Sequence, residues 1–170
     1  MYTVYITIKK AEARKMSKII HAKPENLKQQ RGGNHPDYVN FQRTLVRKGE
    51  GSERCKATIY EIPPMKSAYP YHYHIANEEI FYIISGQGTL KTPDGDVAVS
   101  AGELLFFPAN ENGAHKLTNT SETEPLIYLD VDTQNDIDVC FYPDSNKIGV
   151  WGKTSQVYRT DDQVDYYEGE

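Results

Sequence analysis

The chain has 170 residues, 38% of them hydrophobic, so it is long enough to bury one core of ordinary domain size. Its formal net charge of −5 argues against nucleic acid as a general partner, because phosphate binding needs a basic face. Cys55 and Cys140 are far apart and show no disulfide-framework spacing, so we predict reduced thiols. The sequence has no membrane-length apolar run and no leader pattern, so we predict a cytoplasmic protein with no membrane partner.

The N-terminal segment is predicted to contain a strand, a helix and a loop. Residues 2–8 alternate and are β-prone, whereas residues 9–20 are rich in helix-forming side chains. Two alternatives stand for the first fifteen residues: an appended segment that orders only in an oligomer, or an ordinary edge strand. Residues 22–38 are polar and interrupted by proline and glycine, so we expect a loop with one helical turn near residues 25–30.

Short β-prone segments separated by turn residues occupy the middle of the chain. The predicted strands cover residues 41–47, 55–62, 80–85, 89–92, 97–100, 104–107, 115–119, 126–131 and 139–142. With no βαβ alternation and no internal repeat, this pattern is typical of an all-β barrel or jelly roll. The end of the chain is acidic, and we expect it to be a solvated tail.

Two histidines at a spacing of two are the first sign of a metal site. On an extended strand His72 and His74 project from the same face, whereas a helix would separate them by roughly 200°. Glu79 shares a strand face with Phe81 and Ile83, so it would lie near these imidazoles if that face lines a barrel interior. We therefore expect a carboxylate beside the pair.

A third imidazole, His115, follows a later strand and a polar loop. Three neutral imidazoles and one carboxylate suit one divalent transition metal, and the donor set does not choose among Mn, Fe, Zn, Ni, Co and Cu. Such a set also leaves coordination positions for water or substrate, as catalytic metal sites do.

Two spaced motifs carry a resemblance to the cupin superfamily. The first motif is His-x-His, four residues, Glu, six residues, Gly. It stands here as His72, His74, Glu79 and Gly86. The second motif is Gly, five residues, Pro, a glycine-containing turn, His, three residues, Asn. It stands here as Gly102, Pro108, Gly113, His115 and Asn119, with a loop before the histidine that is two residues longer than the common form.

The resemblance implies an all-β cupin double-stranded β-helix, that is, a jelly-roll barrel with short N-terminal and C-terminal extensions. A single domain would span residues 1–170, with the barrel core at about 41–132, an arm at 1–40 and an extension at 133–170. It also implies that His72, His74, Glu79 and His115 hold the metal. Glu78 is the rival carboxylate, but strand alternation places it on the opposite face from Phe81.

The chain most resembles the mannose-6-phosphate isomerase-like group of cupins, a likeness that does not itself establish an activity. The small-molecule reaction could be Lewis-acid chemistry, as in a sugar (phosphate) isomerase, or redox chemistry, as in a dioxygenase. The alternative is a non-catalytic, metal-dependent binding protein for a sugar or small acid. Cupins of this kind commonly pair, and edge strands at residues 2–8 and 41–47 need cover, so we predict a homodimer.

Several further side chains are candidates for the pocket. Glu103 or Glu111 would act as a catalytic base. Aromatic residues would supply the pocket walls, namely Tyr71, Tyr73, Tyr82, Phe107 and Tyr128. A phosphate clamp would have to come from scattered basic residues, namely Arg54, Lys56, Lys66, Lys91 and Lys116.

Overall fold

A computed structural model of the chain describes Ile20 and residues 23–170. The strand predicted over residues 2–8 and almost all of the helix predicted over 9–20 lie outside the described residues. Within the described ranges the helices are three single 3₁₀ turns, namely Pro24–Asn26, Glu111–Gly113 and Pro143–Ser145. In this part of the chain, no helix is long and apolar enough to cross a membrane.

Short strands make up most of the described chain, which confirms the all-β prediction. They are β1 (Gln30–Gly32), β2 (Asn40–Lys48), β3 (Gly51–Ser52), β4 (Cys55–Ile62), β5 (Tyr73–His74), β6 (Glu79–Ser85), β7 (Gln87–Thr92), β8 (Gly95–Ser100), β9 (Leu104–Phe107), β10 (Lys116–Asn119), β11 (Leu126–Thr133), β12 (Asp138–Tyr142), β13 (Lys147–Trp151) and β14 (Gln156–Arg159).

The strands β1 and β14 are among those that the sequence-based prediction did not include. β1 lies inside the predicted loop, where it pairs with the start of β2, and β14 lies inside the predicted tail, where it pairs with β13. Every residue of β14 is exposed, and β1 is mostly exposed. Neither strand therefore carries a hydrophobic alternation, and each forms because a neighbouring strand offers backbone hydrogen-bonding groups.

The strands form a jelly roll of two facing layers. One layer is a seven-stranded sheet in the order β1-β2-β4-β11-β6-β9, with β3 attached to β2. The other layer contains the sheets β10-β7-β8 and β14-β13-β12-β5. An isolated bridge between His72 and His115 joins these two smaller sheets, so the histidines lie at the centre of the second layer.

The inner face of the large sheet changes character along its strands. β6 alternates as predicted, with Glu79, Phe81 and Ile83 buried and the residues between them exposed. The buried hydrophobic cluster begins beyond Glu79 along β6, where Phe81 and Ile83 follow it. Its members are Tyr60, Ile62, Ala68, Phe81, Ile83, Leu90, Val99, Phe107, Leu117, Leu126 and Tyr128. This packing leaves the charged side chains at one end of the barrel.

Candidate metal centre

Three imidazoles come together because two segments of the second layer pair there. The backbone N–H of His72 donates to the carbonyl of His115 at 3.1 Å, and the reverse bond measures 2.9 Å. His74 lies on β5, opposite Cys140 of β12. The ring centroid of His72 is 5.1 Å from that of His74 and 4.8 Å from that of His115.

The carboxylate of Glu79 reaches the imidazoles from the opposite layer. Its Oε2 lies 3.5 Å from Nε2 of His74 and 3.3 Å from Nε2 of His115. This oxygen is buried and has no hydrogen-bond partner among the described residues. The rival Glu78 is exposed, and its backbone N–H donates to Thr133 Oγ1 at 2.8 Å. Glu79 is thus the carboxylate that faces the histidines.

Each imidazole has its Nδ1 engaged by an oxygen acceptor, which determines the tautomer. Nδ1 of His72 donates to the Pro70 carbonyl at 2.8 Å, and Nδ1 of His115 donates to the Gly113 carbonyl at 2.9 Å. Nδ1 of His74 lies 2.5 Å from Oδ2 of Asp138. With the proton on Nδ1, the Nε2 lone pair is the one available for a metal.

The long loop before His115 depends on Gly113 for its path. Glu111–Gly113 forms a 3₁₀ turn, and the N–H of Gly113 donates to the carbonyl of Asn110 at 3.0 Å. A Cβ atom at Gly113 would lie only 2.0 Å from the carbonyl oxygen of Pro108. Glycine is therefore needed where the turn presents its carbonyl to His115.

The pKa values of the histidines separate into two groups. Burial lowers the pKa of His72 to about 3 and that of His115 to about 4, so both imidazoles are neutral near pH 7. Burial also lowers the pKa of His74, but the hydrogen bond to Asp138, with Cys140 and Glu79 adding to it, outweighs burial and raises the pKa to about 11. Without a bound cation, His74 is therefore an imidazolium, and it lies between the carboxylates of Asp138 and Glu79.

These residues fit a divalent transition metal. Ligand atoms of His72, His74 and Glu79 lie within 4.8 Å of one another, and Nε2 of His115 faces the same carboxylate oxygen. The unpartnered Glu79 oxygen and the Nδ1-protonated tautomers are the arrangement that metal-ligating carboxylates and histidines need. A bound ion would supply Lewis acidity or, if redox-active, electron transfer.

Sequence reasoning missed three carboxylates around this centre. Asp138 of β12 holds His74, whereas Asp130 and Asp132 of β11 project inward beside Glu79. The signal for the latter two was present, because they continue the alternation of Tyr128 along a strand that was predicted to stop at residue 131. No local pattern marks Asp138, because its role depends on the pairing of β12 with β5.

The predicted pocket walls divide between the inside and the outside of the barrel. The Phe107 ring stacks on His115 with centroids 3.8 Å apart, and Tyr128 is fully buried against Phe81. Tyr82 lies on the outer face of β6 and is 44% exposed. Tyr71 packs beneath Lys91, and Tyr73 stacks on Phe141, so the structure does not bring these tyrosines into the centre.

The predicted bases and cations have different surroundings. Glu103 and Glu111 are both exposed, and Glu103 accepts hydrogen bonds from Ser100 in the turn after β8. The ammonium of Lys91 pairs with the carboxylate of Asp144. Among the predicted clamp residues, Lys56 points toward the centre, where its ammonium lies 3.5 Å from Oδ2 of Asp132.

Comparison with known proteins agrees with this architecture. Residues 58–132 match the cupin domain family. This match contains His72, His74, Glu79 and His115, and it agrees with the jelly-roll topology. Residues 58–132 are therefore a cupin domain. Two of the three carboxylates added by the structure, Asp130 and Asp132, fall within the matched cupin region.

Individual cupins resemble different parts of the chain. An oxalate-binding protein from Thermotoga maritima is 28% identical over 101 residues, covering 59% of this chain and 79% of that protein. The fold resembles that of a candidate sugar phosphate isomerase from Acidithiobacillus ferrooxidans, with a TM-score of 0.73, 24% identity and coverage of 85% and 92% of the two chains. The fold also resembles that of a sugar phosphate isomerase of the cupin superfamily from Silicibacter pomeroyi, with a TM-score of 0.75 and 18% identity. That match covers 84% of this chain and 94% of the other.

Proposed function

We propose that this cupin binds one divalent transition metal through His72, His74, Glu79 and His115 and acts on a small molecule there. The observation that carries the proposal is the hydrogen bond at each Nδ1, since an oxygen holds each Nδ1 proton and the nitrogen left to bind the ion is Nε2, in His74 after it loses its second proton. The buried, unpartnered Oε2 of Glu79 supplies the fourth donor.

Proton-transfer chemistry is favoured over oxidation by the residues beside the centre. Carboxyl oxygens of Glu79, Asp130 and Asp132 lie within 4.8 Å of one another, so two carboxyl groups stand within reach of a molecule bound at the ion. A dioxygenase pocket is expected to be apolar, whereas this end of the barrel is charged. The metal would polarise a carbonyl or hydroxyl group, and a neighbouring carboxyl group would accept or return a proton, as a sugar isomerase requires.

A non-catalytic binding protein is the second candidate. It is favoured by the sequence relationship to the Thermotoga maritima protein, which is described as an oxalate-binding protein. The same ligand set would serve it, because binding requires the open coordination position but no proton transfer.

Metal content tests the ligand set. The purified protein should contain about one equivalent of transition metal per chain by elemental analysis. His72→Ala, His115→Ala and Glu79→Gln should each lower that content strongly. Glu78→Gln is the matched control, because Glu78 is the exposed neighbour, and it should keep the metal. Equal loss from Glu78→Gln and Glu79→Gln, or a metal-free wild type after growth in metal-supplemented medium, would refute the proposal.

Solvent deuterium exchange separates enzyme from binder. Metal-loaded protein incubated in D₂O with a panel of aldoses, ketoses and their phosphates should introduce deuterium next to the carbonyl carbon of a substrate, detected by NMR. Ligand binding without exchange or turnover across the panel would instead favour the binding protein.

A further inference from the structure

A row of charged side chains crosses the inner face of the large sheet next to the metal centre. Asp132 of β11 pairs directly with Lys56 of β4 on one side and with Glu79 of β6 on the other. Asp130 lies one inward position deeper on β11. The Lys56 ammonium is 3.5 Å from Asp132 Oδ2 and 4.0 Å from Asp130 Oδ2. We call Lys56, Asp130 and Asp132 the ionic row.

Tyrosine hydroxyls surround the ionic row. Lys56 donates to the hydroxyl of Tyr60 at 3.3 Å, and Tyr69 donates to the same oxygen at 3.2 Å. Tyr128 is fully buried, and its ring stacks on Tyr60 with centroids 5.2 Å apart. Burial raises the pKa of Tyr128, and the nearby carboxyl groups of Asp130 and Glu79 raise it further.

Three buried polar atoms in this region have no hydrogen-bond partner among the described residues, and they are Tyr128 Oη, Asp130 Oδ1 and Asp132 Oδ1. The Asp130 side chain is only 5% exposed. Unpartnered buried donors and acceptors destabilise a fold, so a core selected for stability alone would hold apolar side chains here. The arrangement instead indicates a ligand with matching polar groups.

The ionic row opens toward solvent at one end. Side-chain exposure rises from 5% at Asp130 to 16% at Asp132 and 21% at Lys56. Lys56 and Asp132 are therefore the members of the ionic row nearest to solvent.

A second metal ion does not explain this cluster. The Lys56 ammonium already lies between the Asp130 and Asp132 carboxyl groups, where a cation would have to be held. A lysine at that position supplies the compensating charge and repels a further cation.

We infer that the ionic row, together with Tyr128, is a subsite for the hydroxyl groups of an uncharged polyhydroxylated ligand bound at the neighbouring metal centre, and that it disfavours dicarboxylates. The inference rests on the proposed metal site. It assigns this chain a different ligand class from the one named for the Thermotoga maritima relative.

The chemistry of the donors supports this assignment. A hydroxyl group donates to a carboxylate and accepts from an ammonium or a tyrosine, so a ligand with several hydroxyls can satisfy Asp130, Asp132 and Tyr128 together. A second carboxylate on a ligand could only accept, and it would face two carboxyl groups with one ammonium between them. The ionic row thus favours the binding of polyhydroxylated ligands and disfavours the binding of dicarboxylates.

Calorimetric titration of the metal-loaded protein with D-mannitol and with succinate tests the inference. Wild type should bind mannitol at least about tenfold more tightly than succinate. Asp130→Asn and Asp132→Asn should each weaken mannitol binding about tenfold, because ligand hydroxyls lose a partner, and Asp132→Asn should also strengthen succinate binding, because the carboxylate beside Lys56 is removed. Glu61→Gln is the control, since Glu61 faces Arg43 on the other side of β4 and should change neither affinity.

Metal analysis of every variant separates the two proposals. If wild type binds no metal, the proposed function fails, whatever the titrations show. If metal content is normal but wild type prefers succinate, or the asparagine variants keep the mannitol affinity, the hydroxyl subsite is refuted and the metal site stands. Asp132→Asn decides the outcome if Asp130→Asn does not fold, because Asp132 is the more exposed of the two.

Discussion

Oδ2 of Asp138 lies 2.5 Å from Nδ1 of His74 and links the C-terminal part of the chain to the metal centre. The other oxygen, Oδ1, accepts the backbone N–H groups of Ala76 at 2.9 Å and Asn77 at 3.3 Å. Asp138 is buried at 3% exposure, so these bonds hold its carboxylate in one place. Asp138 therefore orients the imidazole of His74, a proposed metal ligand, and is not itself one of the four proposed ligands.

Replacing Asp138 should weaken metal binding without removing a donor. We expect Asp138→Asn to lower the metal affinity, after correction for the proton that His74 releases, by roughly 10- to 100-fold, because the variant loses the charge that holds the Nδ1 proton of His74. Competition with a chromophoric chelator measures the change. Asp136→Asn is the control, since Asp136 lies two residues away, is exposed and pairs with Lys48. Equal affinities for the two variants would contradict the role given to Asp138.

Metal affinity should rise with pH between about 6 and 8. His72 and His115 have lowered pKa values of about 3 and 4 and stay neutral over this range. The pKa of His74 is raised to about 11, so its imidazolium must release a proton before the ion binds, and the apparent affinity should increase about tenfold per pH unit.

Calorimetry in buffers of different ionisation enthalpy measures this proton directly. About one proton should leave per metal bound at pH 7, and Asp138→Asn should release a smaller fraction because the cause of the raised pKa is gone. An affinity that does not change from pH 6 to pH 8 would contradict the protonated state of His74.

Asn119, the last residue of the second cupin motif, should contribute stability rather than metal binding. Its Nδ2 donates to the carbonyls of Ile62 and Glu124, both at 2.9 Å, and its Oδ1 accepts the N–H of Ser121 at 2.9 Å. Asn119→Ala should lower the free energy of unfolding in urea by about 2–4 kcal/mol with metal content unchanged, because buried groups lose their partners. Asn112→Ala, at an exposed turn position, should cost less than about 1 kcal/mol. Loss of metal at normal stability would contradict this role.

A homodimer remains a prediction, and the structure changes the surface expected to form it. Residues 41–47 are only partly a free edge, since on the side away from β4 the strand β2 pairs with β1 at residues 40–42 and with β3 at residues 47–48. The outer faces of β6 and β9 instead expose apolar side chains, namely Ile80, Tyr82, Ile84, Leu104 and Phe106. A connected apolar face of this kind favours association.

Light scattering at micromolar concentration measures the oligomeric state. Wild type should give twice the mass of one chain, and Phe106→Glu should give the mass of one chain because a charge would be buried in the interface. Val157→Glu, on the exposed strand β14, is the matched control and should remain dimeric. A monomeric wild type would refute the dimer.

The amino-acid sequence by itself determined the all-β class, most strand positions and the inward direction of Glu79. These properties follow from the period of two along an extended backbone, which is why residues 79–85 alternate between buried and exposed as predicted. The spacing of His72 and His74 is local in the same sense. Local periodicity also distinguished Glu79 from Glu78.

Only the tertiary structure decided what surrounds the histidines. The contact of Asp138 with His74 and the row formed by Lys56, Asp132 and Glu79 depend on register between strands that are far apart in the chain. A shift of one residue in either pairing would turn these side chains to the opposite face, and no single strand contains the information that sets the register. The protonation of His74 and the direction of its Nε2 follow from those pairings.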